Sequence, residues 1–326
     1  MTPRTLHIVT VGTSILGHLE AAGGDADTAW SSGLKQLFKE RRDIVRAAVE
    51  PRDILVAKAL DWLRGDRSDE VPQPIAHIDT VLDDERWGSR RVSEYARVSA
   101  EVNGFMAHVS DGSPAKLRVP DGDFVVILAS DTAKGKTAAM WVAGMMSGED
   151  RWSSVTSGID DFASGQRNIL VSSVPQLSAA TLRRFPEQLG KVLVRIYDAV
   201  VEFGSAAEVK FHLSGGYKAA LPYYLAAGEW MTVRHAGERP GPRVSAYALH
   251  EDMTEVMALP THRIYVKREE REFILALADG NHAGLLNEYT LNGRAYIADR
   301  EGKRQLTPYG EGLISFLRHA GHDDLR

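Results

Sequence analysis

The stretch Phe211-His212-Leu213-Ser214-Gly215-Gly216-Tyr217-Lys218 constrains the chain most. Val209 to Leu213 reads as a short buried strand, and Ser214-Gly215-Gly216 as a tight turn. Tyr217 to Gly228 then carries Ala219, Ala220, Leu221, Leu225 and Ala226 on the packed faces of a helix. A strand that turns through two glycines into a helix forms a cradle for an anion. Glycine lets the backbone approach a ligand, and the first N–H groups of a helix have no internal partner. Lys218, read as part of the first helical turn, adds a positive charge there. A plain strand-to-helix turn also needs glycine for its geometry, and the motif alone does not separate the two readings.

Two further loops have the same character. Leu6 to Val11 is an apolar strand that runs into Gly12-Thr13-Ser14. Phe124 to Ala129 is another, followed by Ser130-Asp131-Thr132 and a helix from about Thr137 to Met146. In open α/β sheets ligands bind outside the carboxyl ends of the strands, near a reversal of strand order. If these strands share one parallel sheet, all three loops open on that edge.

A chain of 326 residues with 44% hydrophobic and 25% charged residues can bury a sizeable core. The formal charge of −5 argues against bulk electrostatic binding of nucleic acid, though not against a small anion held in one cleft. The sequence contains no cysteine, so disulfides, thiolate metal sites and cysteine nucleophiles are excluded. No apolar run reaches the length of a membrane span, and the chain begins almost directly with a strand, so no signal peptide is expected and the expected location is cytoplasmic.

The remaining segments read as follows. Trp30 to Val49, Asp53 to Leu63, Arg90 to Ser110 and Leu177 to Phe203 are helical, the last broken near Pro186. Ile75 to Leu82 reads as a strand, and Ser147 to Gly165 as a polar insertion. Asn168 to Val171 and Val244 to Leu249 are strands; Met257 to Leu259 follows, and Ile264 to Val266 is a candidate last one. The α/β alternation ends near Pro260. Beyond it come a helix over Arg268 to Ala278, a short apolar segment Leu285 to Tyr289, a hairpin around Asp299 to Gly302, and a final helix opened by Thr307-Pro308. The expected organisation is a Rossmann-like α/β domain with a mostly parallel sheet over residues 1–260, then a small winged-helix-like domain over residues 261–326.

Val11-Gly12-Thr13-Ser14, Ser99-Ala100-Glu101, Ala129-Ser130-Asp131-Thr132 and Ser214-Gly215-Gly216-Tyr217-Lys218-Ala219 together resemble the CARF (CRISPR-associated Rossmann fold) proteins, over roughly residues 5 to 260. The resemblance is to the group with a C-terminal winged helix that includes the stand-alone ring nucleases. It implies a homodimer that binds a cyclic oligoadenylate, commonly cyclic tetra-adenylate, and opens the ring, with no cofactor. It also implies that Ser14 and Lys218 carry the reaction. Gly12, Thr13, Ser130, Asp131, Thr132, Ser214, Gly215, Gly216 and Tyr217 are then the candidate ligand contacts. Such a ring contains its own nucleophile, the ribose 2′-OH, so in-line attack to a 2′,3′-cyclic phosphate requires positioning and charge stabilisation but no metal.

Other chemistries compete. Arg243 and His250 have the count of a HEPN ribonuclease motif but lie along a strand. Glu208-Val209-Lys210 has the Glu-x-Lys spacing of a metal-dependent nuclease and reads more simply as a solvated strand start. His7, His212 and His235 lack metal-ligand spacing, and the first two read as core histidines. Glu101 and Asp131 suit either ribose hydroxyls or structural N–H groups. From Thr261 onward ten basic and ten acidic residues balance, which disfavours DNA binding by the C-terminal segment. A sensor or transcriptional regulator that binds the ring without cutting it is the alternative.

Overall fold

The computed structural model describes residues 4–22, 32–50, 52–65, 67, 70–84, 99–109, 119–147, 151–175, 182–202, 208–216, 218–233, 242–249, 256–281, 290–298 and 303–319. The strands are β1 (Thr5–Thr10), β2 (Phe124–Ser130), β3 (Val155–Thr156), β4 (Ile169–Val174), β5 (Glu208–His212), β6 (Arg243–Ala248) and β7 (Met257–Leu259). They form one sheet in the order β3-β4-β2-β1-β5-β6-β7. All pairings are parallel except β6 with β7. The expected α/β fold with a mostly parallel, Rossmann-like sheet is therefore observed.

Strands β1 and β2 are buried on both faces because helices cover both. The six residues of β1 are all buried. Val9 and Val11 face one apolar cluster with Val125, Ile127 and Ala129; Leu6 and Ile8 face a second with Val126, Val209 and Phe211. Full burial of one such side chain is worth about 1.5–3 kcal/mol relative to exposure. The first face is covered by α1 (Ser14–Ala22), α2 (Ser32–Glu40), α3 (Arg42–Val49), α4 (Asp53–Arg64), α5 (Gln73–Leu82), α6 (Ala100–Val109) and α7 (Ala133–Met146). The short α8 (Ile159–Ala163), then α9 (Phe185–Tyr197) and α10 (Leu221–Trp230), belong to the other.

Several elements differ from the sequence expectation. Ile75 to Leu82 is helix, not strand: Ile75, Ile78, Val81 and Leu82 are its buried face, at a spacing of three and four. Ser147 to Gly165 is no insertion, since it supplies β3, the edge strand beside β4, and α8. The helix read over Trp30 to Val49 is two, separated at Arg41. The break expected near Pro186 is present: a 3-10 turn, Leu182–Arg184, gives way to α9, and Pro186 stands in its first turn, where its missing N–H costs nothing. Ile264 to Val266 adds no strand to the sheet, although Ile264 and Val266 are buried. Leu285 to Tyr289 and the hairpin tip Asp299 to Gly302 lie outside the described residues, as do Arg90 to Val98 of the expected helix.

After β7 come α11 (Arg268–Ala278), the antiparallel pair β8 (Tyr296–Ala298) and β9 (Arg304–Leu306), and α12 (Pro308–His319). Thr307 caps the last helix, its hydroxyl accepting the Gly310 N–H at 3.2 Å. This segment shares its core with the sheet: Ile274, Tyr296, Leu313, Phe316 and Leu317 belong to the same cluster as Leu6 and Phe211. Helices α9 and α12 approach so closely that a Cβ on Gly190 would lie 2.4 Å from the Gly312 carbonyl. Among the described residues no helix is long and apolar enough to cross a membrane.

Candidate functional site

Strands β2, β1 and β5 lie side by side and parallel, so the loops that follow them open on one edge. From β1 the chain passes to β2, then to the edge strand β3 and back to β4 between them, before it places β5 and β6 on the other side of β1. The strand order therefore reverses between β1 and β5, and Gly12-Thr13-Ser14 and Ser214-Gly215-Gly216 flank that reversal.

The two loops touch through their backbones. A Cβ placed on Gly12 would lie 3.0 Å from the Gly216 nitrogen. Gly216 has φ +100°, a conformation that L side chains rarely adopt. Gly215 has no space for a side chain, since a Cβ there would lie 2.1 Å from Oε1 of Glu101. From β1, the Thr10 hydroxyl donates to the Gly215 carbonyl at 2.8 Å and lies 3.3 Å from the His212 carbonyl. Glu101, fully buried near the start of α6, accepts the Gly12 N–H at 3.0 Å and the Ser99 hydroxyl at 2.7 Å. The Ser99 hydroxyl in turn accepts the Val102 N–H at 3.2 Å and so caps α6. Both oxygens of the Glu101 carboxylate are thus occupied by loop and helix anchoring.

The candidate residues divide by what their polar groups do. Thr13 and Ser14 are exposed, with Ser14 as the first residue of α1. Lys218 is exposed and has no ion-pair partner among the described residues. It belongs to a 3-10 turn, Lys218–Ala220, and α10 begins only at Leu221. The expectation that Lys218 lies in the first α-helical turn is corrected accordingly; Pro222, close to the start of α10, accounts for the late onset. Tyr217 lies outside the described residues. Ser214 is engaged structurally, its hydroxyl accepting the Leu249 N–H at 3.0 Å beyond β6.

The Ser130–Thr132 loop after β2 has its polar groups tied down. Thr132 caps α7 by accepting the Gly135 N–H at 3.0 Å, and the Ser130 and Thr132 hydroxyls are 3.0 Å apart. Asp131 pairs with Lys136 and accepts the Ser173 hydroxyl at 3.3 Å. The fold brings these three residues to the correct edge, with their polar groups already in use.

Sequence reasoning missed the polar cluster beneath the loops. His7 on β1 and His212 on β5 are buried and hydrogen-bonded to each other, Nδ1 to Nε2, at 2.9 Å. Asp123 lies 3.3 Å from Nε2 of His7. His108, on α6, meets the His212 ring edge-on and lies over Tyr247 with ring centroids 4.0 Å apart. Burial lowers the pKa of His7 despite the pull of Asp123, takes His108 down to about 4, and holds His212 well below the ordinary imidazole range. All three are neutral at pH 7. The expected core histidines are therefore present as a linked pair. The Glu208–Lys210 pair, 3.3 Å apart, enters at the amino end of β5, away from the loops.

A family model described as CRISPR-associated protein (Cas_APE2256) matches residues 96–262, just over half of the 326 residues. The match takes in α6, β2, β4, β5 and the loop to Lys218; the first loop, Gly12 to Ser14, precedes it. No curated protein matches the chain.

Proposed function

Because the chain belongs to the CRISPR-associated protein (Cas_APE2256) family, we propose that it acts in CRISPR signalling as a ring nuclease that binds and opens a cyclic oligoadenylate, with cyclic tetra-adenylate the first candidate. One observation supports this reading above others: the loops meet at Gly12 and Gly216, at the point of strand reversal, with the exposed Ser14 hydroxyl and the Lys218 ammonium, unpaired among the described residues, on either side. In the proposed reaction a ribose 2′-oxygen attacks the adjacent phosphorus, and the bond from phosphorus to the 5′-oxygen breaks. The products carry a 2′,3′-cyclic phosphate and a 5′-hydroxyl, the proton passing from the 2′-oxygen to the leaving oxygen through solvent. Lys218 and Ser14 stabilise the charge that grows on the phosphoryl oxygens, and the clamped loops hold the linkage in line. A homodimer about this edge supplies two such sets to one ring.

The test is incubation with labelled cyclic tetra-adenylate in excess EDTA, followed by chromatography. Linear products ending in cyclic phosphate are expected; an intact ring after many hours, tightly bound, sinks the nuclease reading.

One observation favours the alternative, a sensor that binds without cutting. Helix α10 follows the Lys218 turn and ends against the C-terminal segment, where the buried Glu229 pairs with Arg294 and lies 3.3 Å from the Tyr309 hydroxyl. A ligand at the loops is thereby wired to α12 and the hairpin. The winged-helix reading of that segment belongs to this proposal, with its balanced charge weighing against tight DNA binding.

A further inference from the structure

A second concavity, of about 580 Å³, opens at the carboxyl ends of β3 and β4, between the sheet edge and α9. Its size falls in the range of small-molecule sites, roughly 300–1,000 Å³. Several polar groups on its wall are already committed. Asp161 pairs with Arg167 at 3.1 Å, the Ser157 hydroxyl donates to the Leu60 carbonyl, and Ser173 donates to Asp131. Three are not: the side chains of Arg195, Asp160 and Ser172 make no hydrogen bond or ion pair among the described residues. Arg64, from α4 on the other face of the sheet, also lines the cleft; its described ion-pair partner is Asp61 at 3.9 Å, with both side chains well exposed. The remaining lining is apolar, from Leu170, Val192 and Ile196.

This set of groups selects a ligand. Two guanidiniums suit an anionic oxygen group. The Asp160 carboxylate, unpaired among the described residues, lines the same cleft; it repels a bare anion and suits a ligand that also brings hydroxyl donors, as an acidic residue takes up ribose hydroxyls in nucleotide-binding sheets. The apolar side suits a flat base. We infer that this cleft binds a ribonucleoside monophosphate, with Arg64 and Arg195 on the phosphate, Asp160 on the ribose hydroxyls and the base against Leu170, Val192 and Ile196. The site is separate from the loops at β1 and β5 and does not depend on ring cleavage there.

The experiment is calorimetric titration of the full chain with adenosine 5′-monophosphate, its 2′,3′-dideoxy analogue and inorganic phosphate. One nucleotide per chain is expected. Arg64→Ala and Arg195→Ala should each weaken it on the order of 10-fold or more, the range set by loss of a hydrogen bond to a charged group. The dideoxy analogue should bind more weakly than the ribonucleotide to the wild type and equally to Asp160→Ala. All three substitutions are at exposed positions, so the fold is retained, and Lys218→Ala should leave the affinity unchanged. No binding at millimolar nucleotide, equal affinity for inorganic phosphate, or binding lost with Lys218→Ala and kept with Arg195→Ala would each overturn the inference. The last outcome would move the nucleotide to the loops and leave the ring proposal standing.

Discussion

The Gly12 N–H points at Oε1 of Glu101, 3.0 Å away, and this single bond ties the loop after β1 to a helix that begins 88 residues later, at Ala100. Glu101 also fills the space that a side chain on Gly215 would need. One buried carboxylate therefore holds the first loop and limits the second.

Replacing Glu101 with Ala strands the Gly12 N–H and the Ser99 hydroxyl in a buried site. The expected loss is about 1–3 kcal/mol in chemical denaturation. Glu101→Gln keeps an acceptor for Gly12 and should lose clearly less. Equal losses for the two variants would show that the Gly12 bond is not what Glu101 contributes.

Lys218→Ala should separate function from stability. The side chain is exposed and unpaired among the described residues, so unfolding free energy should move by no more than about 0.5 kcal/mol. Ring opening, by contrast, should slow by roughly 100- to 1000-fold, the usual cost of a lost donor to a developing oxyanion. Ser14→Ala should slow turnover with a smaller change in affinity, since the hydroxyl carries no charge. Single-turnover assays at saturating ring distinguish the two effects.

Gly215→Ala should damage the site through crowding. The added methyl meets Glu101 at 2.1 Å, and overpacking of this kind costs about 1–3 kcal/mol. The double variant Gly215→Ala with Glu101→Ala should recover part of that loss if the clash is the cause. A cycle of denaturation measurements reads this coupling directly.

The buried His7 and His212, with the half-buried His108 beside them, predict acid sensitivity. His7, His108 and His212 all have folded-state pKa values below the ordinary 6.5. The unfolded chain then binds more protons as pH falls below that value, so stability is full above about pH 6.5 and declines toward pH 5. Denaturation midpoints measured from pH 8 to pH 5 should show this fall. His212→Gln, which keeps polarity without titrating, should flatten it; an unchanged slope would place the effect elsewhere.

Strands β1 and β2 were legible as largely apolar runs, as burial on both faces requires, and β5 as an alternation of polar and buried apolar residues; each leads toward glycine or a hydroxyl residue. The helix over Ile75 to Leu82 was harder to read because β-branched residues occupy its buried positions and imitate a strand. Strand β3 is two residues long and borrows its pairing from β4, so no local pattern announces it. The contact between His7 and His212 joins positions 205 apart, and the helix that carries His108 reaches them only through tertiary packing. Glu101 stood out in the sequence as part of a resemblance; its role as an anchor depends on where Gly12 and Gly215 arrive in the fold.

The crossing of α9 and α12 at Gly190 and Gly312 has a mechanical consequence. Gly312 also presses on Trp230 at the end of α10, so close that a Cβ would come within 2.1 Å of the indole ring. Helices α9, α10 and α12 therefore meet at Gly190, Gly312 and Trp230 with no room for an added methyl group at either glycine. A displacement of the Lys218 turn would travel along the ten residues of α10, about 15 Å at the rise of an α-helix, and move the C-terminal segment as a lever moves its far end.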